Sequence, residues 1–505
     1  MTDRLPGGEA GISVKPELVV SRLHRAGLTS RWIGGPPTVL AGFHTDSRHI
    51  EPGAMFCAIS GTELDGHVFI PQAVAAGAAA CIAERALDDL AVPLLVTSDT
   101  RLAASHLASL FAGDPAGDLR LVGVTGTNGK TSTALLLHHF LSPLGASAAL
   151  GTLGTWPASG APEASGSGVA AGGGMTTPGP VELMAELDRL RRQGTRLLAM
   201  EVSSHALDQK RVDALEFECV VFTNLTRDHL DYHADMSDYR ASKLHLATLL
   251  VPGGTAVVCA DDPAWKDADF GGHPMVTFGL SADADVRALD VRTGLEGSQF
   301  RLWAHGRTID VTLPLLGSVS VLNALGAVAA ALTMGLEGDL ADLLVSMGQI
   351  PGRMEVLAST PALIVRDYAH TPDALGLTTA AMRELTDGRA IVVFGCGGGR
   401  DRGKRALMGR AAAENADLLL VTQDNPRSED PAKIVADIVA DLPQGVYEVV
   451  LDRREAIERG VGLLGPGDSL LLAGKGHETY QIVDGKRTPF DEAEIVAELL
   501  RTEGT

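Results

Sequence analysis

The sequence predicts an α/β protein of three domains. Three observations predict it. Short apolar runs alternate with helical stretches through most of the chain, the signature of strand–helix–strand units. One of those runs opens a glycine loop that leads straight into a helix. A chain of 505 residues is also too long for one hydrophobic core, which implies two to four domains.

Residues 1–117 make the first expected domain. HTDSRHIEPGAMFCAISG, from His44 to Gly61, reads as turns and strands, and an Ala-rich helix is expected from about Pro71 to Ala80. GDPAGD, from Gly113 to Asp118, is rich in turn formers and marks the first boundary.

The central domain, residues 118–350, begins with the apolar strand Leu121 to Val124. The loop Gly126-Thr127-Asn128-Gly129-Lys130-Thr131 follows, and then an apolar-periodic helix starts. This is the layout of a phosphate-binding loop. Glycines let backbone N–H groups approach phosphate oxygens, and a helix N-terminus favours the anion. Lys130 would reach the β- and γ-phosphates, and Thr131 would offer its hydroxyl to Mg²⁺. The commoner, longer loop needs glycine where this chain has Val124, so the short form points away from GTPases and motor ATPases. RLLAMEVSS, CVVFTNL and TAVVCADD read as buried strands with polar residues at their C-terminal ends, where ligands bind in open α/β sheets. From about Ala282 to Leu315 short alternating segments predict a small antiparallel appendage. Residues 157–174 are a low-complexity, Gly- and Ser-rich loop.

The C-terminal domain, residues 351–505, is expected to be Rossmann-like. LIVRD, AIVVFG, DLLLVT, VYEVVL and SLLLAG are strand candidates separated by helices, as in a parallel sheet. Several end in polar clusters: DYAHTP, GCGGGRDRGKR, TQDNPRSEDP and GKGHET.

Composition narrows the function. Asp and Glu total 63 against 42 Lys and Arg, a net charge of −21, so nucleic acid is not an expected partner of the general surface. Five cysteines without C-x-x-C spacing read as reduced thiols. The N-terminus lacks the apolar stretch of a signal peptide, and no apolar run reaches transmembrane length. A cytoplasmic protein without membrane insertion is expected.

Several residues are candidates for chemistry. Glu201 ends a strand, and His229 lies in TNLTRDHLDYH between Asp228 and Asp231. A carboxylate and an imidazole at that sheet edge can help hold Mg²⁺. Lys243, in YRASKLHLA, reads by itself as a solvated helix lysine. Arg211 beside Lys210 fits either a solvated face or a clamp for an anion. Asp424-Asn425-Pro426-Arg427 is either a plain turn and helix cap or a turn that points a planar cation outward. Gly474 to Glu478 is a tight loop that combines close backbone approach with a carboxylate.

These motifs, with TDSRHIEPGAMFCAISGTELDGHVFI, MTTPGP and PGRMEV, run nearly end to end. Through them the chain resembles the ATP-dependent amino-acid ligases of peptidoglycan-precursor synthesis, the Mur ligases, and among them the diaminopimelate-adding branch. The resemblance implies an N-terminal UDP-binding domain, a central P-loop ATPase-like domain and a C-terminal amino-acid-binding domain. It implies that Ser47, Thr62, Glu63 and Leu64 bind the UDP part, and that Thr176, Thr177, Ser203, Gln209 and Arg211 hold the muramoyl dipeptide of UDP-MurNAc-L-Ala-D-Glu. It gives ATP to Gly126, Thr127, Asn128, Gly129, Lys130, Thr131, Ser132, Asn323, Arg353 and Asp367. Two Mg²⁺ ions would be held by Thr131, Glu201, His229 and Lys243, the last as a carbamate. Arg400, Asp424, Asn425, Pro426, Arg427, Gly474 and Glu478 would bind meso-diaminopimelate. Lys130, Glu201, His229 and Lys243 would be the catalytic set of a monomeric enzyme that works through an acyl phosphate, shielded from water by closure of the C-terminal domain over the central one. One departure stands out: the family's G-R-F-N-x-x-N stretch reads Gly317-Ser-Val-Ser-Val-Leu-Asn323 here. DNPR and GKGHE argue against lysine-adding and folylpolyglutamate-synthase-like relatives. The joint presence of Glu201, His229 and Lys243 argues against a non-catalytic nucleotide-binding scaffold.

Overall fold

Strand and helix alternate along the computed structural model, which describes residues 13–61, 64–157 and 175–502. Three main sheets result, with a separate two-stranded hairpin near the C-terminus. The first sheet has five strands in the order Ser30–Ile33, Leu94–Thr97, Ala80–Ala83, Ala54–Cys57, Gly42–His44. All its pairings are parallel except that of Ser30–Ile33 with Leu94–Thr97. The helix expected over Pro71–Ala80 is shorter, Ile70–Ala75. Gly77, at φ 99°, turns the chain out of it, and Ala80–Ala83 becomes a fully buried strand. Helix propensity favours alanine, but small side chains suit a strand packed on both faces, and burial decides.

The second sheet has ten strands. Its parallel heart is Leu250–Cys259, Phe217–Phe222, Arg120–Thr125, Leu197–Glu201 and Ser147–Gly151, in that order. The expected antiparallel appendage is present as Val286–Gly294, Gly297–Ala304 and Arg307–Leu313. It is not separate, because two residue pairs join Met275–Gly279 to Val286–Gly294 and continue the sheet. The third sheet carries the five expected C-terminal strands, in parallel, in the order Leu363–Asp367, Ser469–Ala473, Ala390–Phe394, Leu418–Val421, Tyr447–Val449. An antiparallel edge strand, Glu355–Ala358, adds to Leu363–Asp367.

The N-terminal and central parts share one continuous apolar core, in which Leu23, Met55 and Leu107 belong to the same cluster as Leu121, Leu136 and Phe217. Helix Thr100–Phe111 packs on helix Pro180–Arg192. Ser105 ties the first of these helices to a separate central segment by donating to the Arg211 carbonyl and accepting from the Ala214 amide. The C-terminal sheet has its own core on each face. All five cysteines are free and buried. Among the described residues no helix is long and apolar enough to cross a membrane.

A buried ion pair ties the C-terminal sheet to its last helix. Arg453 and Glu492 are both 0% exposed, with Nε and Oε1 2.8 Å apart. Arg453 also donates to the Ala473 carbonyl at 2.8 Å, at the end of the strand Ser469–Ala473. Replacing one partner strands the other charge in the core, so Arg453→Met is expected to destabilise the C-terminal domain by about 3–5 kcal/mol. Urea unfolding followed by circular dichroism reads the change; a midpoint equal to wild type refutes it.

Candidate active site

The phosphate loop is shaped by what lies directly behind it. A Cβ on Gly126 would overlap the Thr223 hydroxyl, and one on Gly129 would overlap the Asn323 side-chain oxygen. Both glycines have positive φ, 148° and 85°, so backbone N–H groups face outward where a side chain would block them. The Thr127 amide donates to the Asn224 carbonyl and the Asn128 amide to Asn224 Oδ1, which sets the loop's curvature. Helix Lys130–Leu141 starts at the loop's end. Lys130 Nζ folds back and donates to the carbonyls of Gly126 and Thr127, at 2.9 and 2.8 Å.

Glu201 ends the strand beside the loop strand, in register with Val124. It accepts from the amide and the hydroxyl of Thr152, at 2.8 and 3.1 Å. Gly151 leaves room for it, since a Cβ there would overlap the carboxylate. His229 has positive φ, 55°, and a side chain 36% exposed to the cleft. Its ring stacks edge-on against His205, with centroids 4.7 Å apart. Burial, together with the neighbouring His205, Lys243 and Lys130, holds His229 well below the usual imidazole range despite Asp228. The ring is therefore neutral at pH 7, the form that binds metals. Burial likewise lowers His205 to about 4.

Lys243 is not a solvated helix lysine. It is 1% exposed, and Nζ donates to the Gly126 carbonyl at 2.7 Å, from behind the loop. Burial and the nearby Lys130 push its amine well below the ordinary lysine range. Helical periodicity could not show this, because the helix Met236–Leu244 buries only Tyr239 and Lys243.

One cleft of about 610 Å³ collects most of the candidate residues. Its central-domain wall carries the loop residues Thr127 to Ser132, with Thr176, Glu201, Ser203, Arg211, His229 and Asn323. Its C-terminal wall carries Arg353, Asp367, Arg400, Asp424, Asn425, Arg427, Gly474 and Glu478. Arg211 donates to the Thr177 carbonyl at 2.9 Å and is braced by Gln209 Oε1 at 3.0 Å. Thr177 is fully buried behind this wall, bonded to the Glu201 carbonyl and the Ser203 amide. On the opposite wall, Asp367 accepts from the amides of Met354 and Ala369. Asn425 donates to Glu478 at 2.8 Å. Arg427 sits at φ 54° and donates from Nη1 to the Gly398 carbonyl at 2.6 Å. A Cβ on Gly474 would come within 2.8 Å of Asp424 Oδ2, so glycine is what lets the two loops meet.

Other candidates lie elsewhere. Ser47 is buried in the N-terminal part against Gln72, at 3.0 Å. Leu64 is 66% exposed, and neither residue lines the cleft. Thr62, Glu63 and nearly all of the 157–174 loop fall outside the described residues.

The two walls touch. Asn128 donates to Asp373 at 3.0 Å, and Arg353 donates to the Thr131 hydroxyl at 3.0 Å. Arg227 pairs with Asp401 at 3.3 Å. Asp228 faces Lys404 at 3.6 Å and His370 at 3.8 Å. Burial works to raise the Asp228 carboxyl, but His229, His370 and Lys404 outweigh it and hold Asp228 well below the usual range. The sequence marked DYAHTP and GCGGGRDRGKR as polar strand ends without singling out His370, Lys404 or Asp373. Their signal was position alone, at C-terminal strand ends that face the loop.

Comparison with known proteins gives three family matches. Residues 40–105 match the Mur ligase family catalytic domain, residues 124–331 the Mur ligase middle domain, and residues 352–476 the Mur ligase glutamate ligase domain. UDP-N-acetylmuramoyl-L-alanyl-D-glutamate–2,6-diaminopimelate ligase of Syntrophomonas wolfei is 40% identical over 472 residues, covering 92% of this chain and 95% of that protein. The ligase of the same name from Synechococcus elongatus is 42% identical over 472 residues, with 90% and 93% covered. A solved structure of a ligase of that name superposes with a TM-score of 0.64 at 32% identity, over 94% of this chain and 97% of the other. MurF of Thermotoga maritima in complex with ADP superposes with a TM-score of 0.63 over 91% and 97% of the two chains, at 19% identity, a likeness of fold alone.

Proposed function

The chain belongs to the Mur ligase family, and from that premise we infer that its cleft carries out the ATP-dependent addition of 2,6-diaminopimelate to UDP-MurNAc-L-Ala-D-Glu in peptidoglycan-precursor synthesis. The observation that carries the reading is the cleft itself, which puts a phosphate loop on one wall and the Asp424–Arg427 and Gly474–Glu478 loops on the other.

The roles follow from position. The loop from Gly126 to Ser132 cradles the triphosphate, and Lys130 exchanges its two carbonyl partners for phosphate oxygens. Asn323, Arg353 and Asp367 complete the ATP site. The adenine rests on apolar cleft residues such as Phe278, Val319 and Leu322, which take the place of the family's G-R-F-N-x-x-N contacts. Arg211, braced by Gln209, binds the dipeptide with Thr176 and Ser203, while Thr177 holds that wall from behind. Ser47, Thr62, Glu63 and Leu64 bind the UDP end.

The metal assignment has a physical test. Among the described residues no group of three or more His, Cys, Asp or Glu side chains could hold an ion unaided. Mg²⁺ held by Thr131, Glu201 and His229 would complete its shell with water and phosphate oxygens, and a further protein anion would strengthen the site. Lys130 and Lys243 both donate to the Gly126 carbonyl, and two buried ammonium groups so placed repel each other. Conversion of the Lys243 amine to a carbamate, by attack on CO₂ with loss of one proton, removes that repulsion and supplies that anion. Two Mg²⁺ ions bound there would draw charge off the phosphates.

The D-Glu side-chain carboxylate attacks the γ-phosphorus and ADP leaves, which forms the acyl phosphate. The diaminopimelate amine then attacks that carbonyl, and phosphate departs as the amide forms. Contacts between the walls keep water from the acyl phosphate. The same reading divides the chain at about residues 117 and 350, and has the enzyme act as a cytoplasmic monomer.

Phosphate release from UDP-MurNAc-L-Ala-D-Glu, ATP and Mg²⁺ tests it. Release is expected with meso-diaminopimelate, with kcat/KM at least about 100-fold above that with L-lysine. Equal release with lysine overturns the acceptor assignment, and no release with any amine overturns the ligase.

A further inference from the structure

The amino-acid wall of the cleft rests on a lysine that does not line it. Lys475 follows Gly474 and is 0% exposed. Two glycines with positive φ, Gly474 at 109° and Gly476 at 52°, turn the backbone so that this side chain points inward. The turn is wedged in place: a Cβ on Gly476 would come within 2.7 Å of the Tyr368 Cβ and 2.8 Å of the Gly352 carbonyl oxygen. The inward amine has two polar partners, Asn425 Oδ1 at 3.2 Å and Glu478 Oε2 at 3.5 Å, and lies over the Phe490 ring at 5.8 Å.

Those partners decide how Asn425 is oriented. Its Oδ1 accepts from Lys475 and from the Ile482 amide at 2.9 Å. The NH₂ group is thereby left to donate, and it does so to Glu478 Oε2 at 2.8 Å. With the amide reversed, its NH₂ would face two donors and its oxygen would face a carboxylate. Lys475 and Asn425 both donate to Oε2 of Glu478, a residue that lines the cleft, so its other oxygen is the one to offer a ligand.

We propose that Lys475 is a positioning residue for the acceptor amino acid: it locks the Asn425 amide and, through it, aims the Glu478 carboxylate at the ammonium group of the incoming diaminopimelate. The proposal rests on the reading of this wall as the diaminopimelate site. It predicts an effect confined to one substrate. ATP and the UDP-linked dipeptide bind on other surfaces of the cleft, and their contacts do not pass through Lys475.

The test is a kinetic comparison of Lys475→Met, Asn425→Ala and the double variant with wild type. Methionine keeps the apolar stem and removes the amine, with its hydrogen bonds to Asn425 and Glu478 and its place over the Phe490 ring. In Lys475→Met, KM for meso-diaminopimelate is expected to rise roughly ten- to a hundred-fold, the loss of one hydrogen bond to a charged group. KM for ATP and for UDP-MurNAc-L-Ala-D-Glu should stay within about two-fold. Because Lys475 holds both Asn425 and the Glu478 oxygen that Asn425 holds, the double variant should fall well short of the product of the two single effects. Equal rises in all three KM values, or effects that multiply in the double variant, mean that Lys475 only supports the fold, and the proposal falls. An unmoved KM for diaminopimelate also overturns it. Wild type in the same assay separates the two failures: if it shows no diaminopimelate-dependent turnover, the acceptor reading fails and takes this proposal with it.

Discussion

Lys130→Ala is expected to lower kcat for phosphate release by about 10³-fold, while KM for diaminopimelate changes little. The side chain is positioned for one task. It lies over the loop with its amine on the Gly126 and Thr127 carbonyls, where the β- and γ-phosphates would sit. Negative charge collects on those phosphates as the γ-phosphoryl group moves. A cation fixed there in advance stabilises the transition state more than the bound substrate, so the loss falls on kcat. Lys130→Arg should not restore activity, because the planar guanidinium cannot follow the tight curve of the loop. Steady-state kinetics decide it, and a kcat within ten-fold of wild type rules out the assigned role.

Arg427→Ala should cost diaminopimelate about 10³-fold or more in kcat/KM and abolish the preference over lysine. meso-Diaminopimelate carries a second carboxylate at its far end, and lysine does not. Arg427 holds a left-handed backbone conformation, φ 54°, which costs a non-glycine residue about 1–2 kcal/mol. Backbone bonds keep it there: its amide donates to the Ile482 carbonyl at 3.1 Å, and its carbonyl accepts from the Asp484 amide at 2.7 Å. Strain of this kind persists where the surrounding structure imposes it, which is common at binding sites. One terminal nitrogen is pinned on Gly398, and the rest of the fork is left for a carboxylate. With lysine bound, the arginine would stay unpaired in a closed site, and that is the origin of the selectivity. A substrate panel with the variant measures both effects. If the variant still prefers diaminopimelate over lysine, selectivity comes from another residue, and Arg400 is the next to test.

The hairpin that straps Arg427 shows where a sequence reading stops. Tyr480–Val483 and Lys486–Pro489 pair around Asp484-Gly485, both at positive φ, the turn chemistry of a two-residue hairpin. The D-G signal was in the sequence, but nothing local ties the hairpin to a loop more than fifty residues earlier. The same holds for Lys475, whose neighbours in sequence are glycines and whose partner Asn425 belongs to another loop.

By itself the sequence determined the α/β class, the glycine loop with its Lys-Thr end, the strands that carry Glu201 and the DNPR turn, and the antiparallel appendage. Each is written in periodicity or in turn chemistry, which act over a few residues. Tertiary structure decided the rest. It ended the Ala-rich helix at Ala75, short of the Ala80 that the sequence led one to expect, and began a central, fully buried strand at Ala80. It turned Lys243 from an apparently solvated side chain into a buried amine beside Lys130. It also set Asp228 between His370 and Lys404, across the cleft. Charge and burial at these positions depend on elements distant in sequence, and those meet only when the three sheets pack.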